Sequence, residues 1–123
     1  MDRLTALADL QEQFFETARR ADPATPIPWL DCLEEVVAIM HPRQLRLGRV
    51  PPPAARVVFD PAEADASLTL AGAPEGAAEI VIAGSAKSLA LLAWGRLGVE
   101  AAGIEVRGDR ALAAAVLEAG LTP

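Results

Sequence analysis

AEIVIAGSAKSLALLAWGRLGVEAAGIEVRGDRALAAAVLEAG, residues 78–120, is the stretch that decides the fold. A run of β-branched residues predicts a strand over 78–83 that is buried on both faces. A helix over 85–97 follows, and alternating apolar and charged residues predict a second strand over 104–107. An Ala-rich helix over 110–119 completes the stretch. Turn residues separate all four elements, so the local signals agree on the order strand, helix, strand, helix.

Two side chains are placed to cap these helices. Ser85 precedes the first helix and Asp109 precedes the second. Both residue types accept a hydrogen bond from a free amide in the first turn of a helix. The negative charge of Asp109 also suits the positive end of the helix dipole.

Two further helices are predicted before this stretch. Apolar residues at helical spacing give an amphipathic helix over 2–20, and a proline-rich connection follows it. The same spacing predicts a second helix over 29–40. His41 and Pro42 would end that helix, because proline disfavours helical geometry in the residue before it.

The segment after these helices indicates a boundary between two parts of the chain. Residues 44–50 fit a short strand, and the triple proline at 51–53 stiffens the chain into an extended spacer. We therefore predict an N-terminal helical segment 1–50 and an α+β unit 54–123, which together form one compact unit.

Strand patterns at 56–60 and 66–70 precede the strand at 78–83, and Gly- and Pro-rich turns join the three. Successive strands joined by turns are most simply an antiparallel meander. The sequence thus predicts an α+β fold, with helices packed on a mostly antiparallel sheet.

Composition limits the class of protein. The chain has 123 residues, which suffice for one domain, and its net charge of −6 argues against general binding to nucleic acid phosphates. One cysteine rules out an internal disulfide and fits a reducing cytoplasm. The first residues are acidic and amphipathic, unlike a signal peptide, and no apolar run is long enough to insert into a membrane. We expect a cytoplasmic protein.

No group of residues has the spacing of a catalytic or metal-binding site, so we predict no catalytic residue, metal or cofactor. His41 has no carboxylate or nucleophile close by in sequence and is interpreted as a helix-terminal residue that contacts the last carbonyls. Cys32 lies among acidic residues, which raise a thiol pKa, and is interpreted as a small half-buried side chain. Glu63 and Asp65 are interpreted as solvated surface.

Three features carry a family resemblance: Ala83-Gly84 at a strand end, the W-G-R segment at 94–96, and IEVRGDRAL at 104–112. With these features, residues 54–120 resemble the C-terminal domain of the mycothiol-dependent maleylpyruvate isomerase family. That domain is itself similar to the sterol carrier protein fold. A weaker likeness covers residues 4–28, which are similar to the first helix and loop of the family's N-terminal helical domain.

The family's N-terminal domain is a four-helix bundle in which histidines and a glutamate hold a divalent metal. Here the bundle would be cut to about two helices. Ile39 stands at the position that matches the first metal-ligand histidine, and His41 lies two residues further round the helix. The resemblance therefore does not imply metal-dependent isomerase chemistry in this chain.

What the resemblance implies is a sheet on which helices form an apolar cavity. Our leading hypothesis is a non-enzymatic domain that binds a small apolar or amphipathic ligand. Two alternatives stay open: an accessory or remnant domain of a mycothiol-dependent maleylpyruvate isomerase-type protein, with the metal site on a partner, and a structural homodimer module. The same helices could also pack solid, without a cavity. The residues predicted to line the pocket are Leu89, Leu92, Trp94, Leu112 and Val116.

Overall fold

The computed structural model of the protein describes residues 29–123. The helix predicted over 2–20 lies outside the described residues. The elements in chain order are α1 (Trp29–Glu35), a π-helical turn (Val36–Met40), α2 (His41–Arg46), β1 (Arg56–Pro61), β2 (Leu68–Thr69), β3 (Glu79–Gly84), α3 (Ala86–Ala93), β4 (Glu105–Arg107) and α4 (Arg110–Glu118).

The helix predicted over 29–40 is present, but its predicted end at His41 and Pro42 is wrong. The chain passes through the π-helical turn, in which the His41 N–H donates to the carbonyl of Val36, five residues back. Pro42 has no N–H to donate to the preceding turn, and its ring would crowd a regular α-helix. The wider π turn removes this conflict, and α2 then begins with proline in its first turn.

The strand predicted over 44–50 is also wrong. Its first residues belong to α2, which ends at Arg46. Gly48 follows with a φ of 68°, and the chain turns towards the proline segment. The alternation of Leu45 and Leu47 that suggested a strand occurs here in the last helical turn and the residue after it.

The four strands form one mixed sheet in the order β2-β1-β3-β4. β1 pairs antiparallel with β2 and parallel with β3, and β3 pairs antiparallel with β4. Helices combined with this sheet confirm the predicted α+β class, and two of the three strand pairings are antiparallel. The predicted meander is wrong, because β3 lies beside β1 and not beside β2.

Burial explains why β1 and β3 occupy the centre. In their parallel register Val57 lies beside Ile80, and Phe59 lies beside Ile82. All four of these side chains are fully buried. β2 comprises only Leu68 and Thr69, and neither is buried, so this strand suits the edge. A meander would have placed the weakest strand in the middle of the sheet.

The helical stretch packs into the same core as the sheet. Cys32 and Leu33 of α1 belong to one hydrophobic cluster with the buried residues of β1 and β3. α1 packs against α3, where the Lys87 ammonium lies 5.8 Å from the centre of the Trp29 ring. A cation at this distance from an aromatic ring adds an electrostatic attraction to the packing.

Both predicted helix caps are confirmed. The Ser85 Oγ accepts a hydrogen bond from the Ser88 amide at 3.1 Å, and the Asp109 Oδ1 accepts one from the Leu112 amide at 3.0 Å. The helix after Ser85 is shorter than predicted, because it ends at Ala93 and the chain turns at Gly95, whose φ is 77°. A positive φ is readily adopted by glycine and ends many helices.

Candidate functional site

The five residues predicted to line a pocket lie on or next to two helices. Leu89 and Leu92 belong to α3 and Trp94 follows its end, whereas Leu112 and Val116 belong to α4. Leu89, Leu92 and Val116 are buried in the hydrophobic core. Trp94 and Leu112 are half-buried and pack against it.

A first groove, of about 510 Å³, runs between the end of α3, the loop that follows it and α4. Leu92 is the predicted lining residue that takes part in it. Its walls are mainly apolar, and the carboxylates of Glu100 and Glu118 also lie along it. The lining residues are Leu92, Gly95, Leu97, Gly98, Val99, Glu100, Ala114, Leu117, Glu118 and Gly120.

A second groove, of about 250 Å³, lies between α4, the proline segment and the start of α2. Two of the predicted residues, Leu112 and Val116, line it. The remaining lining residues are His41, Pro51, Pro52, Pro53, Ala54, Ala115, Ala119 and Gly120.

The two grooves therefore divide the predicted set. Leu92 lines the first, Leu112 and Val116 line the second, and Leu89 and Trp94 line neither. The use of these residues in ligand binding stays a prediction.

Trp94 joins the end of α3 to α1. Its indole Nε1 donates a hydrogen bond to the Cys32 Sγ at 3.1 Å. Burial raises the pKa of the Cys32 thiol; the hydrogen bond from Trp94 acts in the opposite direction, and the Glu35 carboxylate raises the pKa further. A thiol in this environment stays protonated and is a poor nucleophile. The structure thus assigns Cys32 a packing role, and it buries this residue more fully than the sequence indicated.

His41 is a buried polar residue that the sequence did not reveal as such. Its exposed fraction is 1%, and its Nδ1 has no hydrogen-bond partner among residues 29–123. The predicted contact with the last carbonyls of a helix is wrong, since the helix continues beyond it into α2. Burial lowers the pKa of His41, so its imidazole is neutral at neutral pH. The triple proline and α4 line the second groove together with His41 but are distant from it in sequence. The residues next to His41 in sequence therefore did not indicate its burial.

Glu63 is a second residue whose role the sequence did not indicate. Its two carboxylate oxygens accept hydrogen bonds from the Ala86 amide at 3.0 and 3.1 Å. Ala86 is the first residue of α3. The carboxylate therefore satisfies one of the free amides at the start of that helix, where negative charge is favoured. Glu63 is exposed, as the sequence indicated, and in addition it caps this helix.

Within 29–123, no group of three or more His, Cys, Asp and Glu side chains is arranged to hold a metal ion. No helix in that same range has the length and apolar character needed to cross a membrane.

The comparison with protein families shows which family the chain belongs to. The family model of the MDMPI C-terminal domain matches residues 29–115. The chain belongs to this family. It is the C-terminal domain family of the mycothiol maleylpyruvate isomerases, which confirms the resemblance seen in the sequence. The comparisons with curated proteins and with solved structures found no significant match.

The match places the MDMPI C-terminal domain further towards the N-terminus than residues 54–120. It begins at Trp29, so it includes α1 and α2 as well as the sheet. The W-G-R segment closes α3, and the G-D-R-A-L segment contains the cap and first turn of α4. The predicted division near residues 50–54 and the relation to sterol carrier proteins stay predictions.

Proposed function

We propose that this chain acts as a non-catalytic accessory domain of a mycothiol-dependent maleylpyruvate isomerase-type protein. The observation that carries the proposal is the family match over residues 29–115. In this role the α+β unit supplies structure and a docking surface, and a partner supplies the metal and the chemistry of isomerisation.

The described side chains support a role in assembly. His41 and Cys32 are both buried, and within 29–123 neither belongs to a group of three or more His, Cys, Asp and Glu side chains that could hold a metal ion. The large hydrophobic side chains that stay exposed within 29–123 are Ile39 and Leu47, with exposed fractions of 58% and 50%. Both belong to the helical stretch or follow its end, so this stretch offers apolar surface to a partner.

Reconstitution tests the accessory role. The full chain is mixed with a maleylpyruvate isomerase from which the C-terminal domain has been deleted, and mycothiol-dependent isomerisation is measured. We expect the rate to rise with added chain and to saturate near equal concentrations. A rate that does not change, together with two separate species in sedimentation, contradicts the proposal.

Binding of a small apolar or amphipathic ligand is a second candidate function. The first groove favours it, because its volume of about 510 Å³ lies within the range of small-molecule sites and its walls are mainly apolar. Native mass spectrometry of the purified chain, before and after exposure to fatty acids and sterols, tests this candidate. One bound molecule per chain supports it, and a mass that stays that of the free chain contradicts it.

Sedimentation of the chain alone tests the third candidate, a structural homodimer. A stable dimer that neither binds a ligand nor restores the truncated isomerase would leave that candidate ahead. The apolar surface around Ile39 would then be buried between two copies of the chain.

A further inference from the structure

One side of the helical stretch 29–46 is exposed, and the opposite side packs on the core. The buried side carries Cys32, Leu33, Val36, Val37, His41 and Gln44. The exposed residues that recur every four positions are Asp31, Glu35, Ile39, Arg43 and Leu47. A spacing of four exceeds the about 3.6 residues of an α-helical turn, and the wider π-helical turn in the middle offsets the resulting drift around the axis. These five residues form the outer face of the stretch.

Charge is divided along the outer face. Asp31 and Glu35 make its N-terminal half negative, whereas Arg43 makes its C-terminal half positive. Arg46, which is also exposed, adds a second positive charge to that half. Ile39 lies between the two halves with an exposed fraction of 58%. None of the four charged side chains forms an ion pair within residues 29–123, so all four are available to another molecule.

This order of charges is complementary to its own reverse. Glu35 and Arg43 each lie four residues from Ile39, on opposite sides of it. When two copies pack with antiparallel outer faces and a two-fold axis at Ile39, Glu35 of one copy therefore lies opposite the partner's Arg43, and this contact occurs twice. Asp31 then lies near the partner's Arg46. A parallel arrangement would place like charges opposite each other, which costs free energy.

We infer that the outer face binds the same face of a second copy of this chain, in an antiparallel arrangement centred on Ile39. The inference rests on the homodimer candidate, whose interface it specifies, and it does not need the accessory role. An anionic membrane surface fits this face less well, because Asp31 and Glu35 would be repelled by it.

The size of the outer face determines how firmly two copies associate. From Asp31 to Leu47 the face is about 25 Å long, which makes a small interface. We therefore expect a reversible dimer whose fraction rises with protein concentration. Salt should weaken this dimer, because the charge pairs at its rim are exposed and screened. A partner isomerase that docks around Ile39 would displace the second copy.

Charge reversal on the outer face tests the arrangement. Sedimentation equilibrium of the full chain, over a range of protein concentrations, measures the dissociation constant of the dimer. Glu35→Arg places positive side chains opposite each other, and Arg43→Glu places negative ones there. We expect each substitution to raise the dissociation constant at least about ten-fold, because like charges then face each other at two symmetric contacts. Both positions are exposed and helical, where substitutions change stability little.

The control is Glu75→Arg, which makes the same change of charge at an exposed position in the turn between β2 and β3. It should leave the dissociation constant unchanged. The net charge of −6 provides a second check. Glu35→Arg makes the chain less negative, so general repulsion between copies cannot explain a weaker dimer in that variant.

An equal mixture of Glu35→Arg and Arg43→Glu decides whether the faces meet as inferred. In a mixed pair both contacts join opposite charges again, so the mixture should associate about as strongly as the wild type. A dimer that is insensitive to both substitutions, or a mixture that stays monomeric, would overturn this interface. A wild-type chain that is monomeric at every concentration would overturn the homodimer candidate with it. The accessory role is measured separately, by the activity of the truncated isomerase.

Discussion

Gly84 lies where the end of β3 passes close to the loop that leads into β4. A Cβ added to Gly84 would lie 2.8 Å from the backbone oxygen of Gly103 and 3.4 Å from Ile104 Cδ1. The first contact is closer than van der Waals packing allows, and a backbone oxygen can move only with its whole loop. Glycine is therefore required here for the close approach of two segments.

We expect Gly84→Ala to lower the free energy of unfolding by about 1–3 kcal/mol, the usual cost of forcing an extra carbon into packed structure. Gly98→Ala is the matched control, because a Cβ at Gly98 meets no atom within 4 Å and its φ is not positive. Urea denaturation of both variants measures the difference. Equal stabilities for the two would show that the loop at Gly103 yields without cost.

His41 makes the stability of the fold depend on pH. Burial lowers the pKa of His41 in the folded state, whereas in the unfolded chain it titrates near its ordinary value of about 6.5. The unfolded state therefore binds more protons in the interval between the two pKa values, and stability falls as the pH falls through that interval. Above about 6.5 both states are neutral and this contribution is fully present.

The variant His41→Gln isolates this effect, because glutamine does not titrate. We expect the wild-type chain to lose more stability than His41→Gln between pH 7.5 and pH 5, measured by urea denaturation at each pH. The carboxylates that titrate in the same range are common to both proteins and cancel in the comparison. Parallel pH profiles would mean that the imidazole is protonated as readily in the folded chain as in the unfolded one.

At the scale of elements, the start of α3 depends on a residue outside the helix. The Ser85 hydroxyl accepts from the Ser88 amide within the helix, and the Glu63 carboxylate accepts from the Ala86 amide from the segment after β1. The second contact ties the helix to the end of a central strand. Its charge also interacts favourably with the helix dipole.

Glu63→Ala removes this contact and should lower the free energy of unfolding by about 1 kcal/mol, as loss of a helix cap does. Asp65→Ala is the matched control, since Asp65 is exposed and lies two residues further along the same segment. Thermal unfolding of the three proteins provides the measurement. If both variants unfolded at the same temperature as the wild type, the Glu63 carboxylate would stabilise the start of α3 no more than water does.

The sequence predicted those elements that local chemistry determines. Ser85 and Asp109 revealed their helices because a cap acts within one turn of the chain, and β-branched residues revealed β3 for a similar reason. Strand order depends on which strands can be buried on both faces, and this involves residues far apart in sequence. The antiparallel meander was the simplest order of three strands, and it fails because β2 has only two residues, neither of them buried.

The candidate site was harder to predict than the fold. In most sequences a proline after a residue such as His41 signals the end of a helix. No local sequence pattern predicts the π-helical turn that allows the helix to continue past the proline. The burial of His41 and the groove that it lines arise from the packing of α2, the proline segment and α4. The helical spacing of Leu112 and Val116 predicted that both line a pocket, but this spacing does not indicate which groove they line.

At the scale of the whole molecule, the core is shared between the helical stretch and the sheet, yet two large hydrophobic side chains in or next to this stretch stay exposed. Leu33 and Val36 point into the core, whereas Ile39 and Leu47 are the large hydrophobic side chains exposed within 29–123. Single exposed hydrophobics are common on protein surfaces. Together with the family match, their exposure makes the surface around Ile39 the docking surface to test first.

Ile39→Gln tests that surface, because glutamine is at least as good a helix former as isoleucine and removes the apolar character of the position. We expect the variant to bind the truncated isomerase about ten-fold more weakly, the loss typical of a side chain central to an interface. Its stability should change by less than about 0.5 kcal/mol, since Ile39 is exposed. Thr69→Gln, an exposed change on the edge strand β2, is the control and should bind as the wild type does. If Ile39→Gln bound equally well, the partner would have to contact another face of the domain, and the accessory role would need a different docking surface.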